Sequence, residues 1–224
     1  MIRNLAFISV CILLCITYSC SGKSTEQTKE IETLGRSIYL KKDDSSGKWI
    51  YYISEKLVPD SVWREKLGKA LVTIYKGEGQ WSEDKNTFKE AGSTGIKVLI
   101  VASREVENDD GTAAFVLREL GEEGWIGIID YLKTRMNNNE GLDLYFIEEL
   151  GNSGYKNATG VLSSAIHYNK SLPEEIVASA IALSKLGDYR GLDVLKQMRA
   201  EKNDPSWQEW IDKSIKIIEQ TKSK

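Results

Sequence analysis

The apolar positions of this chain fall into blocks with different rhythms. Leu5 to Ile16 is almost continuously apolar, preceded by Arg3 and followed by Thr17-Tyr18-Ser19-Cys20. A membrane-spanning helix needs roughly 20 apolar residues. This shorter run instead predicts a cleaved export signal, with a basic start, an apolar middle and small residues at the cut. Ser21 to Thr33 is polar and lacks large apolar periodicity, which predicts a flexible tether. About 13 such residues span roughly 20 Å root-mean-square. Arg36 to Lys42 and Lys48 to Ser54 are then rich in aromatic and β-branched residues, with turn chemistry from Asp43 to Gly47 between them. That pattern predicts a β-hairpin, which must pack on something because an isolated hairpin is marginal.

From Pro59 the period becomes helical. Asp60 predicts an N-cap before Val62 to Ile74, where Trp63, Leu67, Ala70, Leu71 and Ile74 share one face. Lys76-Gly77-Glu78-Gly79 ends that helix. Gly79-Gln80-Trp81-Ser82-Glu83 reads as a polar loop carrying an aromatic with no periodic partner. Ile96 to Ala102 has the composition of a buried strand and the neighbourhood of a helix, so residues 86–103 stay open between the two, with the neighbourhood favouring helix.

A repeat follows. Phe115 to Leu132, Leu144 to Leu162 and Ala180 to Leu195 each read as an apolar helix ending in Leu-Gly, a short turn and a second apolar helix. Leu120-Gly121, Leu150-Gly151 and Leu186-Gly187 recur at roughly 30 to 36 residues, a helix-pair period. Gly121, Gly151 and Gly187 sit where a left-handed cap wants glycine. Asp188 and Asn152 are the expected caps of the following helices. Ser171 and Pro173 open the helix whose stripe is Ile176, Ala180 and Leu183, with Glu174 and Glu175 on its positive end. Alanines at 178, 180 and 182 permit close approach. Asp204-Pro205 starts a last helix with Trp207, Ile211, Ile215 and Ile218 inward and Lys213, Lys216 and Glu219 outward.

This grammar resembles HEAT-like repeats of the short bacterial, lyase-type kind, in which a first helix ends in Leu-Gly-Asp and the second begins a few residues on. Leu186-Gly187-Asp188-Tyr189-Arg190 carries the likeness most closely, and the other two repeats have Leu-Gly-Glu and Leu-Gly-Asn. The likeness covers about residues 111–200; the helices from 113 and 142 are short for it, and the repeat lengths are unequal. It implies a curved solenoid that binds proteins or peptides. Some relatives of this type act on bilin cofactors inside cells, a role that export argues against. The expected fold is therefore mainly α: an α-solenoid of HEAT-like helix pairs at 59–224, after a β-hairpin region at 35–58.

The N-terminal block resembles the processing site of a bacterial lipoprotein. Ser19 is the small residue wanted before the cysteine; Thr17 stands where Leu, Val or Ile is usual, and Tyr18 is bulky, so the likeness is to the relaxed form. It implies a signal peptide at 1–19, with a lipidated Cys20 and the tether at 20–34. Ordinary secretion with cleavage near Ser19 is the alternative. Cys11, Cys15 and Cys20, the three cysteines, all lie at or before the cut, so nothing beyond Cys20 forms a disulfide or a thiolate. Two or more acyl chains on Cys20 give stable attachment. The expected location is the bacterial cell envelope, anchored to a membrane through lipid.

Composition narrows the function. Thirty basic residues stand against 33 acidic ones, which leaves no electrostatic case for nucleic acid and no polybasic strip for anionic lipid. Gly22-Lys23-Ser24-Thr25 ends like a phosphate-binding loop but has Thr17 where the earlier glycine belongs and no strand before it. His167, the one histidine, closes a helix, where it suits the dipole better than catalysis. No HExxH or EF-hand spacing is present, so neither metal nor cofactor is expected. Gly92-Ser93-Thr94-Gly95 and Gly151-Asn152-Ser153-Gly154 are turns, not nucleophile elbows. Paired acids such as Glu122-Glu123, Glu148-Glu149 and Glu174-Glu175 do not face one another on a helix.

Of the tryptophans Trp49, Trp63, Trp81, Trp125, Trp207 and Trp210, most are expected in the core, with Trp81 the candidate binding anchor. Trp207 and Trp210 cannot both point inward unless the last helix is largely covered. The chain is expected to be a scaffold for a protein or peptide, not an enzyme. Its partner face is the second helices, Gly124 to Met136, Tyr155 to His167 and Gly191 to Ala200, presenting Asp130, Lys133, Asn157 and Arg199. The rivals are an enzyme of unknown type on the same helices and an envelope spacer without a dedicated ligand.

Overall fold

The computed structural model describes residues 36–43, 45–77, 81–106, 109–201 and 203–222; the expected signal peptide, Cys20 and the tether lie outside them. Among the described residues one antiparallel hairpin, β1 (Ile38–Lys42) and β2 (Trp49–Ile53), precedes ten α-helices. They are α1 (Ser61–Lys76), α2 (Trp81–Glu90), α3 (Ser93–Glu105), α4 (Thr112–Glu119), α5 (Glu122–Asn137), α6 (Leu144–Ser153), α7 (Thr159–His167), α8 (Pro173–Lys185), α9 (Gly191–Glu201) and α10 (Pro205–Lys222). A 3₁₀ turn, Lys156–Ala158, leads into α7.

The hairpin forms where the pattern placed it. The Asp43 N–H donates to the Lys48 carbonyl at 2.7 Å, Ser45 and Ser46 donate to the Asp43 carboxylate, and Gly47 takes a left-handed φ of 67°. A two-stranded ribbon is marginal alone, and here two helices hold it. α1 packs along β2. Glu105, the last residue of α3, accepts the Ser37 and Ile38 N–H groups on one carboxylate oxygen at 2.6 and 2.7 Å. Asp60 caps α1 as expected, accepting from Val62 and Trp63 at 2.8 and 3.0 Å. Leu67, Ala70, Leu71 and Ile74 are buried and Trp63 is half-buried. Ile96 to Ala102 lies wholly within α3, with Val98, Leu99 and Ala102 inward.

From α3 onward the helices stack in two interleaved rows. α4, α6, α8 and α10 touch in order, and so do α3, α5, α7 and α9. One continuous core runs from Ile38 and Ile53 through Leu117, Ile128, Phe146 and Leu183 to Ile211 and Ile218. α8 is the most enclosed helix, packed by α6, α7, α9 and α10. Ala182 faces α6 and Ala180 faces α9, where a Cβ on Gly151 or Gly191 would stand 2.7 Å from the respective alanine Cα.

Four sequence expectations are corrected here. Gly187 does take a positive φ, 84°, just after α8, but Gly121, at φ 76° and ψ −144°, lies outside the left-handed helical region, and Gly151 has no positive φ. α6 continues to Ser153, and Gly154 makes the left-handed turn at φ 71°. Gly151 serves contact instead of turning: its missing side chain admits Ala182. Asn152 is therefore inside α6, not a cap, and its side-chain oxygen accepts from Lys185 Nζ at 2.7 Å. Ser171 closes α7 rather than opening α8, donating to the Ala165 carbonyl at 2.7 Å. The N-cap of α8 is Leu172, whose N–H goes to Glu175 Oε2 at 2.8 Å, with Pro173 at the first helical position as expected. Finally, Trp81 begins helix α2 instead of lying in a loop.

Glu105→Ala removes the acceptor of two strand N–H groups. It is expected to lower stability by about 1.5–3 kcal/mol and to speed amide exchange at Ile38 more than at Leu183. Uniform acceleration at both sites would show that Glu105 does not hold the hairpin specifically.

Candidate functional site

An open groove of about 1300 Å³ lies beside the hairpin, walled by β2 and α1 and reaching Asp84 on α2. Its geometry follows from the strand register. The Asp43–Lys48 and Ser54–Ser37 hydrogen bonds fix the bonded pairs of the ladder, so Trp49, Tyr51 and Ile53 fall at the intervening, non-bonded positions. There the backbone N–H and C=O point away from β1. At Tyr51 that outward edge is covered: α1 comes so close that a Cβ on Gly68 would stand 2.3 Å from the Tyr51 carbonyl oxygen. At Trp49 the edge opens into the groove, and the residue is 49% exposed.

The charged residues of the groove are mostly satisfied within the protein. Arg64 Nη1 donates to the Val58 and Pro59 carbonyls at 2.8 and 2.6 Å. Lys69 pairs with Glu65 at 2.6 Å, one helical turn apart. The Ser46 hydroxyl first, then Ser45, pulls the Asp43 carboxyl down to about 2. What remains for a ligand is aromatic and apolar surface, Trp49, Tyr52, Ile50 and Val72, beside a strand edge with outward backbone groups.

The residues singled out from sequence do not form one site. Asp130 and Lys133 pair at 3.8 Å on α5, and both are exposed. Asn157 donates to the Tyr155 hydroxyl at 3.1 Å, which itself donates to Glu122. Arg199 is turned to the last helix, where its Nη2 meets Asp212 at 3.0 Å and its Nε binds the other oxygen. Trp81 stands apart from all four, beside Phe115 with ring centroids 5.9 Å apart; the two are 38% and 37% exposed. Arg118 lies over that Phe115 ring at 4.7 Å and pairs with Glu149 at 2.8 Å. His167 is exposed at the end of α7.

Carboxylates stand at the starts of the first-row helices; sequence reasoning placed Glu175 there and missed Asp109 and Asp143. Asp109 accepts from Ala113 at 3.3 Å before α4, Asp143 accepts from Tyr145 at 3.1 Å before α6, and Glu175 caps α8. Burial raises all three above the usual carboxylate range. Backbone N–H bonds oppose that rise in each, and Arg135 does so at Asp143. Burial also pushes up the Tyr75 hydroxyl, with the charge of Asp109 adding to it. Perturbed groups often mark active sites, but helix capping accounts for these. An acid just before each of α4 and α6 was the signal that could have found Asp109 and Asp143. No cluster of His, Cys, Asp or Glu among the described residues is placed to hold a metal ion. Among the described residues no helix is long and apolar enough to cross a membrane.

No family model matches the chain, no curated protein matches it, and no solved structure matches its fold.

The raised carboxylates give a signed pH dependence. The folded state holds these protons more tightly than the unfolded chain, so the penalty for burying charge is present above the folded pKa and is relieved as pH falls through it. The triple variant Asp109→Asn, Asp143→Asn, Glu175→Gln keeps the capping oxygens and removes the charges. As pH falls from neutral into the ordinary carboxylate range, the melting temperature of the parent should rise relative to the variant. A difference that stays constant over that interval would show the carboxylates to be unperturbed.

Proposed function

We propose that this chain is a lipid-anchored scaffold of the bacterial cell envelope, held through Cys20, that binds a protein or peptide partner in extended form along the β2–α1 groove. In this reading the two interleaved helix rows are an α-solenoid of the HEAT-like kind, and the hairpin seals its first end. The observation that carries the binding role is the strand edge at Trp49, open to a groove with aromatic walls. An added strand takes its affinity from such backbone groups and its specificity from neighbouring side-chain pockets. Natural proteins usually blunt an edge of this kind; α1 does so at Tyr51 and not at Trp49. The anchor rests on the Thr17-Tyr18-Ser19-Cys20 processing pattern, and the polar segment after it supplies the reach.

The second-helix face is the competing interface, and Arg199 is already engaged there by Asp212. Site-specific photocrosslinking in intact envelopes separates the two. A benzoylphenylalanine replacing Trp49 should give a discrete adduct that Tyr52→Ala weakens about tenfold, and the same probe replacing Asp130 should give none. Cys20→Ala should release the protein from the membrane fraction. Adducts from position 130 alone would move the partner to the second helices, and membrane retention without Cys20 would remove the lipid anchor.

A further inference from the structure

Eight large apolar side chains are exposed among the described residues, and four of them fall along one edge of the helix stack: Trp81, Phe115, Tyr145 and Leu172. They belong to the starts of α2, α4 and α6 and to the residue before α8. The starts of the first-row helices are neighbours. Glu175 of α8 accepts from the Leu142 N–H just before α6, and behind burial the Asp143 charge helps to raise both Asp109 and Glu175. Tyr145 rests on Gly111, where a Cβ would stand 2.7 Å from its ring. The Phe115 N–H donates to the Gly111 carbonyl at 2.9 Å, which places Phe115 one helical turn further on, and the Trp81 ring follows at 5.9 Å between centroids. Packed helix axes lie about 8–10 Å apart, so the row from Trp81 to Leu172 is roughly 25–30 Å long.

Single exposed apolar residues are ordinary, but a continuous apolar row marks a contact surface. Its chemistry narrows the partner. Trp and Tyr concentrate at the boundary between membrane and water, where an apolar ring and a polar handle suit both phases. The neighbouring charge favours a neutral surface. Asp110 and Glu174 are exposed beside the row against Lys170. Arg118 is already held by Glu149, and Lys85 stands 3.8 Å from Glu119. An anionic lipid surface therefore gains nothing from this edge. Residues 21–36 supply proximity. A polar chain of that length spans roughly 20–25 Å, so an acylated Cys20 keeps the helix stack close to the headgroups.

We infer that the Trp81–Phe115–Tyr145–Leu172 edge docks on the headgroup layer of a zwitterionic bilayer, an inference that rests on the lipid anchor at Cys20. Four partly exposed side chains bind more weakly than one acyl chain, whose own attachment is marginal and reversible. The edge thus orients an anchored molecule and does not retain an unanchored one. None of the four residues lines the β2–α1 groove, so docking and peptide binding use separate residues.

The test uses the full mature chain with Cys20→Ala, so that no acyl chain contributes. It should cosediment with concentrated phosphatidylcholine vesicles, and phosphatidylglycerol vesicles should bind it no better at low salt. Leu172→Ser is the deciding variant, because serine is a preferred N-cap and so preserves α8. It should lower the partition coefficient about threefold to tenfold, with an unchanged or higher melting temperature. In phosphatidylcholine bicelles with spin-labelled headgroups, the Trp81 indole N–H resonance should broaden more than that of Trp49. Equal partition of parent and Leu172→Ser, no partition at all, tighter binding to phosphatidylglycerol, or stronger broadening at Trp49 overturns the proposal. So does a dimer that Leu172→Ser dissociates, which assigns the edge to a second copy. Failure of the anchor reads differently, as retention of Cys20→Ala in washed envelope membranes while the vesicle series stands.

Discussion

Helix α8 is packed at backbone distance on two opposite sides, and this contact sets the spacing of both helix rows. Ala180 and Ala182 are separated by about 200° around the helix axis. One therefore meets Gly191 of α9 and the other Gly151 of α6, where even a methyl group on either glycine would collide. Such close approach adds dispersion contacts that larger side chains would forfeit by pushing the axes apart. Two of the polar groups that α8 buries are satisfied within the helix. Ser184 bonds back to the Ile181 carbonyl at 2.7 Å, and Glu175 closes its own N-terminus.

The same device positions the candidate groove at the other end of the chain. Gly68 lets α1 settle against the Tyr51 carbonyl, which covers the middle of the β2 edge and leaves Trp49 open. A larger residue at 68 would lift the helix, uncover the strand and change the groove. Binding surface and core packing are thus linked through one missing Cβ.

Local signals made much of the fold legible. Asp60, the hairpin turn, Gly187 and Pro173 each act through their own neighbours in sequence, and each sits where the pattern placed it. Errors arose where a tertiary contact overrode the local rule. Gly151 resembles a cap but serves α8, and Ser171 resembles an N-cap but satisfies the preceding helix. α2 was illegible because Phe88 is its one buried residue, too little for a periodic stripe. The groove was hidden for a related reason: no spacing along the chain announces that α1 will cover one outward carbonyl of β2 and spare the next. Trp207 and Trp210 were visible as a conflict on one helix face, and the edge-to-face packing of their rings is its resolution.

The most direct test is the stability of Gly151→Ala in urea. Inside an ordinary helix this change stabilises by about 0.5–1 kcal/mol. Contact with Ala182 predicts the opposite sign: a lower urea midpoint, with about 1–3 kcal/mol lost to overpacking and an unchanged slope. A midpoint above that of the parent would contradict the account, because it would mean that α6 and α8 do not meet at backbone distance.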